Sequence, residues 1–190
     1  MIPRPGRLKT VPVLLPVIMV VVLTTLWLAG CTPKEPPLSP EARAFKLEIG
    51  SILSNMQQSL LEPIFQGNIP AIDKVLQSFA KTTAGICIDC PYRLGVLNQK
   101  GDLLTTYPKN DIIGLNFSSY KNILATLQKQ RISQAQAFSA DGTKIYFISA
   151  PVRKNNQVQG VIVLALSPAD LEKKWHLSEK EFWVIDFNTP

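Results

Sequence analysis

The chain has 190 residues but a single histidine, His176, and three cysteines, Cys31, Cys87 and Cys90. One imidazole excludes any mechanism that needs two. Charged residues are sparse, 18% against 46% hydrophobic, which excludes a disordered tail. No internal repeat is present, and no block of like charge; Arg153-Lys154 and Lys173-Lys174 are only pairs. The formal charge of +6 therefore does not mark a track for a phosphate backbone, and nucleic acid is set aside as a partner. Acidic residues are missing from residues 1–30, whereas Arg4, Arg7 and Lys9 stand there. Without that segment the 20 basic residues fall to 17 against 14 acidic ones, a charge of +3. The length suits one domain of ordinary size with some extra sequence.

The extra sequence is at the start. A short basic stretch is followed by an uncharged run from Val11 to Gly30, whose centre is Val17-Ile-Met-Val-Val-Val-Leu23. A basic region before an apolar one is the pattern of a secretory signal. It ends in Leu28-Ala29-Gly30-Cys31, which resembles the bacterial lipobox, where the chain is cut before a cysteine that becomes diacylated. An uncleaved membrane helix is the alternative, since about 20 apolar residues span a bilayer. Pro12 and Pro16 disfavour a regular helix in the first half of the run. Both readings place the rest of the chain outside the cytoplasm. Thr32 rather than Asp follows Cys31; in two-membrane cells that resemblance points to the periplasmic face of the outer membrane rather than the inner membrane. The expected organisation is a signal peptide over residues 1–30, a lipidated cysteine with a proline-rich tether over 31–40, and a domain over 41–190.

The domain opens with two helices. Phe45, Ile49, Ile52, Leu53, Met56, Leu60 and Leu61 recur at helical spacing over residues 41–62. Ser39-Pro40 supplies the start and Pro63 the expected stop. A second helix is expected over residues 69–82, with Ile72, Val75, Leu76 and Phe79 on one face. Neither carries a catalytic constellation. From residue 92 the pattern becomes β-rich: strands over 93–97 and 102–107, a loop, a helix over 120–130, then strands over 134–139, 144–150 and 158–166. Ser167-Pro168 with Asp170 opens a short helix, and residues 182–187 read as a last strand. Strands joined in sequence by short turns favour an antiparallel sheet with segregated helices, an α+β fold.

Four stretches carry a family likeness: Gly95-Val-Leu-Asn-Gln-Lys-Gly-Asp-Leu-Leu104; Ile113-Gly-Leu-Asn-Phe117 with Tyr120-Lys121; Ile148-Ser-Ala-Pro-Val-Arg153; and Val158-Gln-Gly-Val-Ile-Val-Leu164. In this order they resemble the Cache family of extracellular sensor domains. The resemblance implies a PAS-like antiparallel sheet with a long N-terminal helix and a second helix packed on it. It also implies a small-molecule pocket bounded by the sheet, the long loop and its helix. Its candidate lining is Tyr107, Phe117, Tyr120, Phe138, Tyr146 and Arg153. Many family members place an arginine just before the aromatic that opens the loop helix, where it can grip a carboxylate. Ser118 and Ser119 stand there instead, so a carboxylate ligand would need Arg153 or Arg93. Taken singly, each aromatic also fits an ordinary core position.

Cys87-Ile-Asp-Cys90 is the other chemical feature. Haem attachment would need a histidine where Pro91 stands, and zinc would need two further ligands. In an exported chain a local disulfide is expected, worth the low end of ~2–4 kcal/mol because so short a loop removes little entropy. A redox-active pair and a metal site stay open beside it. Trp175, His176 and Trp183 read as packing or surface residues. The expected function is a non-catalytic, cofactor-free, sensor-type lipoprotein that binds a small molecule. It would be anchored through lipid on Cys31 and would signal, if at all, through a receptor, kinase or transport partner. A redox lipoprotein and an envelope scaffold are the alternatives. The anchor has a direct test: Cys31→Ala should abolish lipid labelling and release the protein from membranes, whereas unchanged membrane retention would identify an uncleaved helix.

Overall fold

Ser39 and Pro40 start the first helix as their chemistry requires. The Ser39 hydroxyl accepts from the Ala42 N–H at 3.1 Å, and Pro40 takes the first helical position, where no N–H is needed. The computed structural model describes residues 37–82, 93–109, 113–139 and 141–189. Apart from Pro37 these belong to one unit, Leu38–Pro190. The signal and lipobox with Cys31, and the pair Cys87 and Cys90, lie outside the described residues.

Helix α1, Pro40–Phe65, buries a stripe of Ala42, Phe45, Ile49, Leu53, Met56, Leu60 and Ile64. It runs past Pro63, where the sequence suggested a stop. A proline in the final turn forfeits one hydrogen bond, and the added turn buries Ile64 against the sheet. The helix ends at Gly67, whose φ of +64° suits a residue without a side chain. Helix α2, Ile69–Thr82, follows directly, capped by the Asn68 side chain on the Ala71 N–H at 3.1 Å.

Five strands form one antiparallel sheet: β1 Leu94–Asn98, β2 Leu103–Tyr107, β3 Ser133–Phe138, β4 Lys144–Lys154 and β5 Gln157–Leu166. Their order is β2-β1-β5-β4-β3, so the last strand enters the middle and joins the β1–β2 hairpin to the β3–β4 hairpin. Helix α3, Lys121–Lys129, carries the chain from one edge to the other. Asn155 and Asn156, with φ of +52° and +61°, make the tight turn between β4 and β5. The result is the α+β, PAS-like arrangement that the resemblance implied.

Period-two alternation divides the sheet into two faces. Leu94, Val96, Ile148, Ala150, Ile162 and Leu164 face α1 and α2 and form the main core. Leu97, Leu103 and Val161 face the other way and meet Ile123 of α3 in a smaller cluster. Asp73 of α2 ties the helical layer to β2, accepting from the Thr105 hydroxyl at 2.6 Å and pairing with Lys109 at 2.8 Å. Burial pushes this carboxyl up, but the hydrogen bonds from Lys109 and Thr105 and the lysine charge outweigh it and hold its pKa below the ordinary value.

Two expectations are corrected. Strand β4 continues through Pro151 to Lys154 instead of ending at Ala150. Pairing with β3 stops at Ser149, so beyond it β4 has a neighbour on one side only and a missing N–H costs the sheet nothing. The Pro151 carbonyl is used by Gln57 Nε2 of α1 at 2.8 Å. The expected strand over 182–187 is a helix. After α4, Pro168–Trp175, the chain forms α5, Glu179–Val184. Ser178 and Glu181 make a reciprocal capping box that overrides the β-prone composition. The helix turns Phe182 inward to stack on Tyr146 at 4.9 Å, while Trp175 meets the edge of Phe45 at 5.0 Å.

Gly160 fixes the approach of α1 to the sheet. A methyl group there would lie 2.5 Å from the Leu97 carbonyl oxygen and 3.0 Å from Ile64 Cγ2. Gly160→Ala should therefore destabilise the fold by about 1–3 kcal/mol through overpacking, read as a lower urea midpoint.

Candidate functional site

The loop between β2 and α3 is fastened along the outer edge of β2. Leu103 N–H donates to the Leu115 carbonyl and Gly114 N–H to the Leu103 carbonyl, both at 2.9 Å. Asn116 Nδ2 donates to the Lys100 carbonyl at 3.0 Å and to Asp102 Oδ1 at 2.7 Å. The other Asp102 oxygen accepts from Asn98 Nδ2 at 2.9 Å. Asn98 Oδ1 in turn receives the N–H groups of Lys100 and Asp102 at 2.8 and 3.0 Å. Gly101, at φ +85°, lets the loop close; a Cβ there would be 2.8 Å from the Ser118 backbone nitrogen. The first two sequence motifs are thus halves of one clasp. The Ser118 hydroxyl is spent within it, donating to Asn116 Oδ1 at 2.6 Å.

The clasp delivers Phe117 and Tyr120, rings 5.5 Å apart, to the start of α3. The helix itself is pinned by a buried hydroxyl chain. Thr126 Oγ1 lies 2.9 Å from Ser149 Oγ, which donates to the Ser133 carbonyl at 3.1 Å.

Between the first turn of α3 and the sheet face opposite α1 lies a cavity of about 250 Å³. Gly95, Ala135 and Ala137 form a floor with almost no side chains, and Phe117, Phe147 and Val163 supply apolar walls. Thr106, Tyr120 and Asn122 contribute neutral polar side chains. The Thr106 hydroxyl already donates to the Pro108 carbonyl at 2.8 Å. Tyr120 and Phe138, 56% and 63% exposed, stand at the rim. Apolar walls with a few hydrogen-bonding groups are the makings of a small-molecule site.

Of the six sequence candidates, Phe117, Tyr120 and Phe138 come together at this cavity. The other three lie elsewhere. Tyr107 pairs with Leu94 and packs against the main core. Tyr146 also faces that core, at the edge of a second cavity of about 490 Å³ bounded by Glu172, His176 and Glu179. Its hydroxyl is buried without a well-aligned partner, and burial followed by the nearby Glu179 carboxylate raises its pKa. Glu179 is held low, chiefly by Lys144 at 2.8 and 2.9 Å, then by Trp183. Arg153 is exposed beside an open groove with Gln57 and Asn188. Arg93 does not line the first cavity; its Nε is buried with no hydrogen-bond partner among the described residues.

Sequence reading missed Thr106 and Phe147, each one position from a chosen tyrosine, and the small floor residues. The run Ile145-Tyr146-Phe147-Ile148 is apolar at every position, so alternation gave no sign of which ring faced which way. Among the described residues no group of three or more His, Cys, Asp or Glu side chains could hold a metal, and no helix is long and apolar enough to cross a membrane.

Asp102 holds the clasp, and hydrogen bonds from Asn116 and then Asn98 set its pKa below the ordinary 3.8. A depressed carboxyl contributes stability above the unfolded pKa and loses it as pH falls through the folded one. Amide exchange of residues 113–118, compared with the β5 amides, should therefore accelerate only below about pH 4 in the native chain. In Asp102→Ala it should already be fast at neutral pH.

No protein-family model matches the sequence, and no curated protein matches it. Solved structures match in fold. The ligand-binding domain of the Pseudomonas aeruginosa amino acid chemoreceptor PctB, in complex with L-Arg, gives a TM-score of 0.54 at 14% identity, over 70% of this chain and 54% of that one. The ligand-binding domain of the Pseudomonas fluorescens chemoreceptor CtaA, in complex with L-valine, gives 0.53 at 16% identity, over 69% and 57%. A domain from Vibrio parahaemolyticus assigned to the sensory box/GGDEF family gives 0.56 at 12% identity, over 74% and 60%. This chain therefore spans 54–60% of the length of these three. At such identities the likeness is one of fold alone.

Proposed function

We propose that the chain is a non-catalytic, extracytoplasmic module that binds a small molecule and reports its presence to a partner protein. The carrying observation is the cavity between α3 and the sheet, roofed by a loop that a dedicated clasp holds in place. The fold shared with ligand-binding domains supports the same reading. The Leu28-Ala29-Gly30-Cys31 motif supports anchoring through lipid on Cys31, with residues 31–40 as tether and the domain beyond. Thr32 favours the periplasmic face of the outer membrane in a two-membrane cell. Cys87 and Cys90 are read as a local disulfide suited to an oxidising compartment. A receptor, sensor kinase or transport component would supply the output.

The test is a thermal-shift screen of metabolites against the purified full chain. A ligand present at 100 times its Kd stabilises the folded state by about 2.7 kcal/mol, enough for a measurable rise in Tm. Ala135→Leu fills the cavity floor and should erase that rise while leaving the unliganded Tm close to its original value. A rise that survives Ala135→Leu would place binding elsewhere, and no rise across the screen would favour a scaffold.

A further inference from the structure

Three features of the cavity bear on what can enter it. The first is the material of its wall. Phe117, Phe147, Leu97 and Val163 present only carbon to the interior, and Gly95 with Ala135 and Ala137 leaves a smooth floor. A carboxylate or ammonium set against such a wall loses its hydration, and the penalty is several kcal/mol or more for an ion without a partner.

The second is the kind of polar group available. Asn122 brings an amide and Tyr120 a phenol, each able to donate or accept a neutral hydrogen bond. Among the described lining residues none is charged. The positions where a carboxylate-gripping arginine would be sought hold Ser118 and Ser119, and the hydroxyl and N–H of Ser118 are both committed to Asn116 in the clasp. Arg153 is at another groove.

The third is the rim. Phe138 and Tyr120 leave most of their ring surface in water at the entrance, and a guest of similar character would cover part of that surface.

Resting on the ligand-binding reading above, we propose that the cavity takes an uncharged, largely apolar small molecule carrying one or two hydrogen-bonding groups, such as a phenol or a branched alcohol, and rejects free amino acids. Selection is then by desolvation: the apolar body fills the space over Gly95 and Ala135 while Asn122 or Tyr120 fixes its single polar group.

Matched probes separate charge from shape. p-Cresol and L-tyrosine share a hydroxylated ring, and 3-methyl-1-butanol and L-leucine share a branched chain; within each pair only the zwitterionic end differs. Each is titrated into the isotopically labelled full chain, with the backbone amides of Gly95, Ala135 and Ala137 as reporters. Saturable shifts with p-cresol or the alcohol are expected, with none from the amino acids at equal concentration. Ala135→Leu should abolish the shifts, and Ala137→Leu provides a second block should the first variant fold poorly. Shifts of equal size from an amino acid would overturn the charge preference and leave ligand binding standing; their loss in Arg93→Ala would locate the anion-binding group. If no probe of either class moves the reporters, the ligand-binding reading falls, and this inference with it.

Discussion

Strand β5 is buried on both faces, and that constraint organises the molecule. Its run from Gly160 to Leu166 can exist in water only if something covers each side, and only if both its edges are paired. The edges are taken by β1 and β4. The two sides are covered unequally: side chains of α1, α2, α4 and α5 bury one, whereas among the described residues the short helix α3 covers only part of the other. The candidate pocket is the part left over. A second helix on that face would have given a firmer core and no room for a guest.

The two layers also differ in how they are held. The α1–α2 side depends on packed side chains, with Phe45 at the junction of α1, Trp175 and Phe182. The α3 side depends on polar contacts of fixed geometry: the Asn98–Asp102–Asn116 clasp and the Thr126–Ser149 hydroxyl chain. Hydrogen bonds of this kind contribute modestly to net stability, about 1 kcal/mol each, but they specify position. Position is what a recognition loop needs. A roof held by few strong apolar contacts can also open locally without unfolding the rest.

Much of the fold could be read in advance. Helical spacing located α1 and α2, and the turn residues at Gly101, Gly142 and Asn155-Asn156 located the strand breaks. Where reading failed, a local rule gave way to a neighbour. Pro63 did not stop α1 because Ile64 had a place against Gly160, and Pro151 did not end β4 because β3 had already left that edge. The segment at Phe182 looked like a strand until the Ser178–Glu181 cap is considered. The pocket was half legible. Phe117, Tyr120 and Phe138 sit on or beside irregular chain, where motif position is informative. Tyr146 has apolar neighbours on both sides and Tyr107 follows two buried threonines, so their facing depended on a pairing register that no single segment contains.

The floor of the pocket is made of what three residues leave out. At Gly95 an added methyl group would meet nothing closer than 3.6 Å, so the backbone does not require glycine there; the empty space does. The capacity of the site is therefore written in a few positions that contribute little to folding. Related chains could enlarge, narrow or fill the chamber by exchanging small residues for larger ones at those positions. One scaffold could in this way change its guest within a few substitutions, while the sealed layer behind it stays untouched.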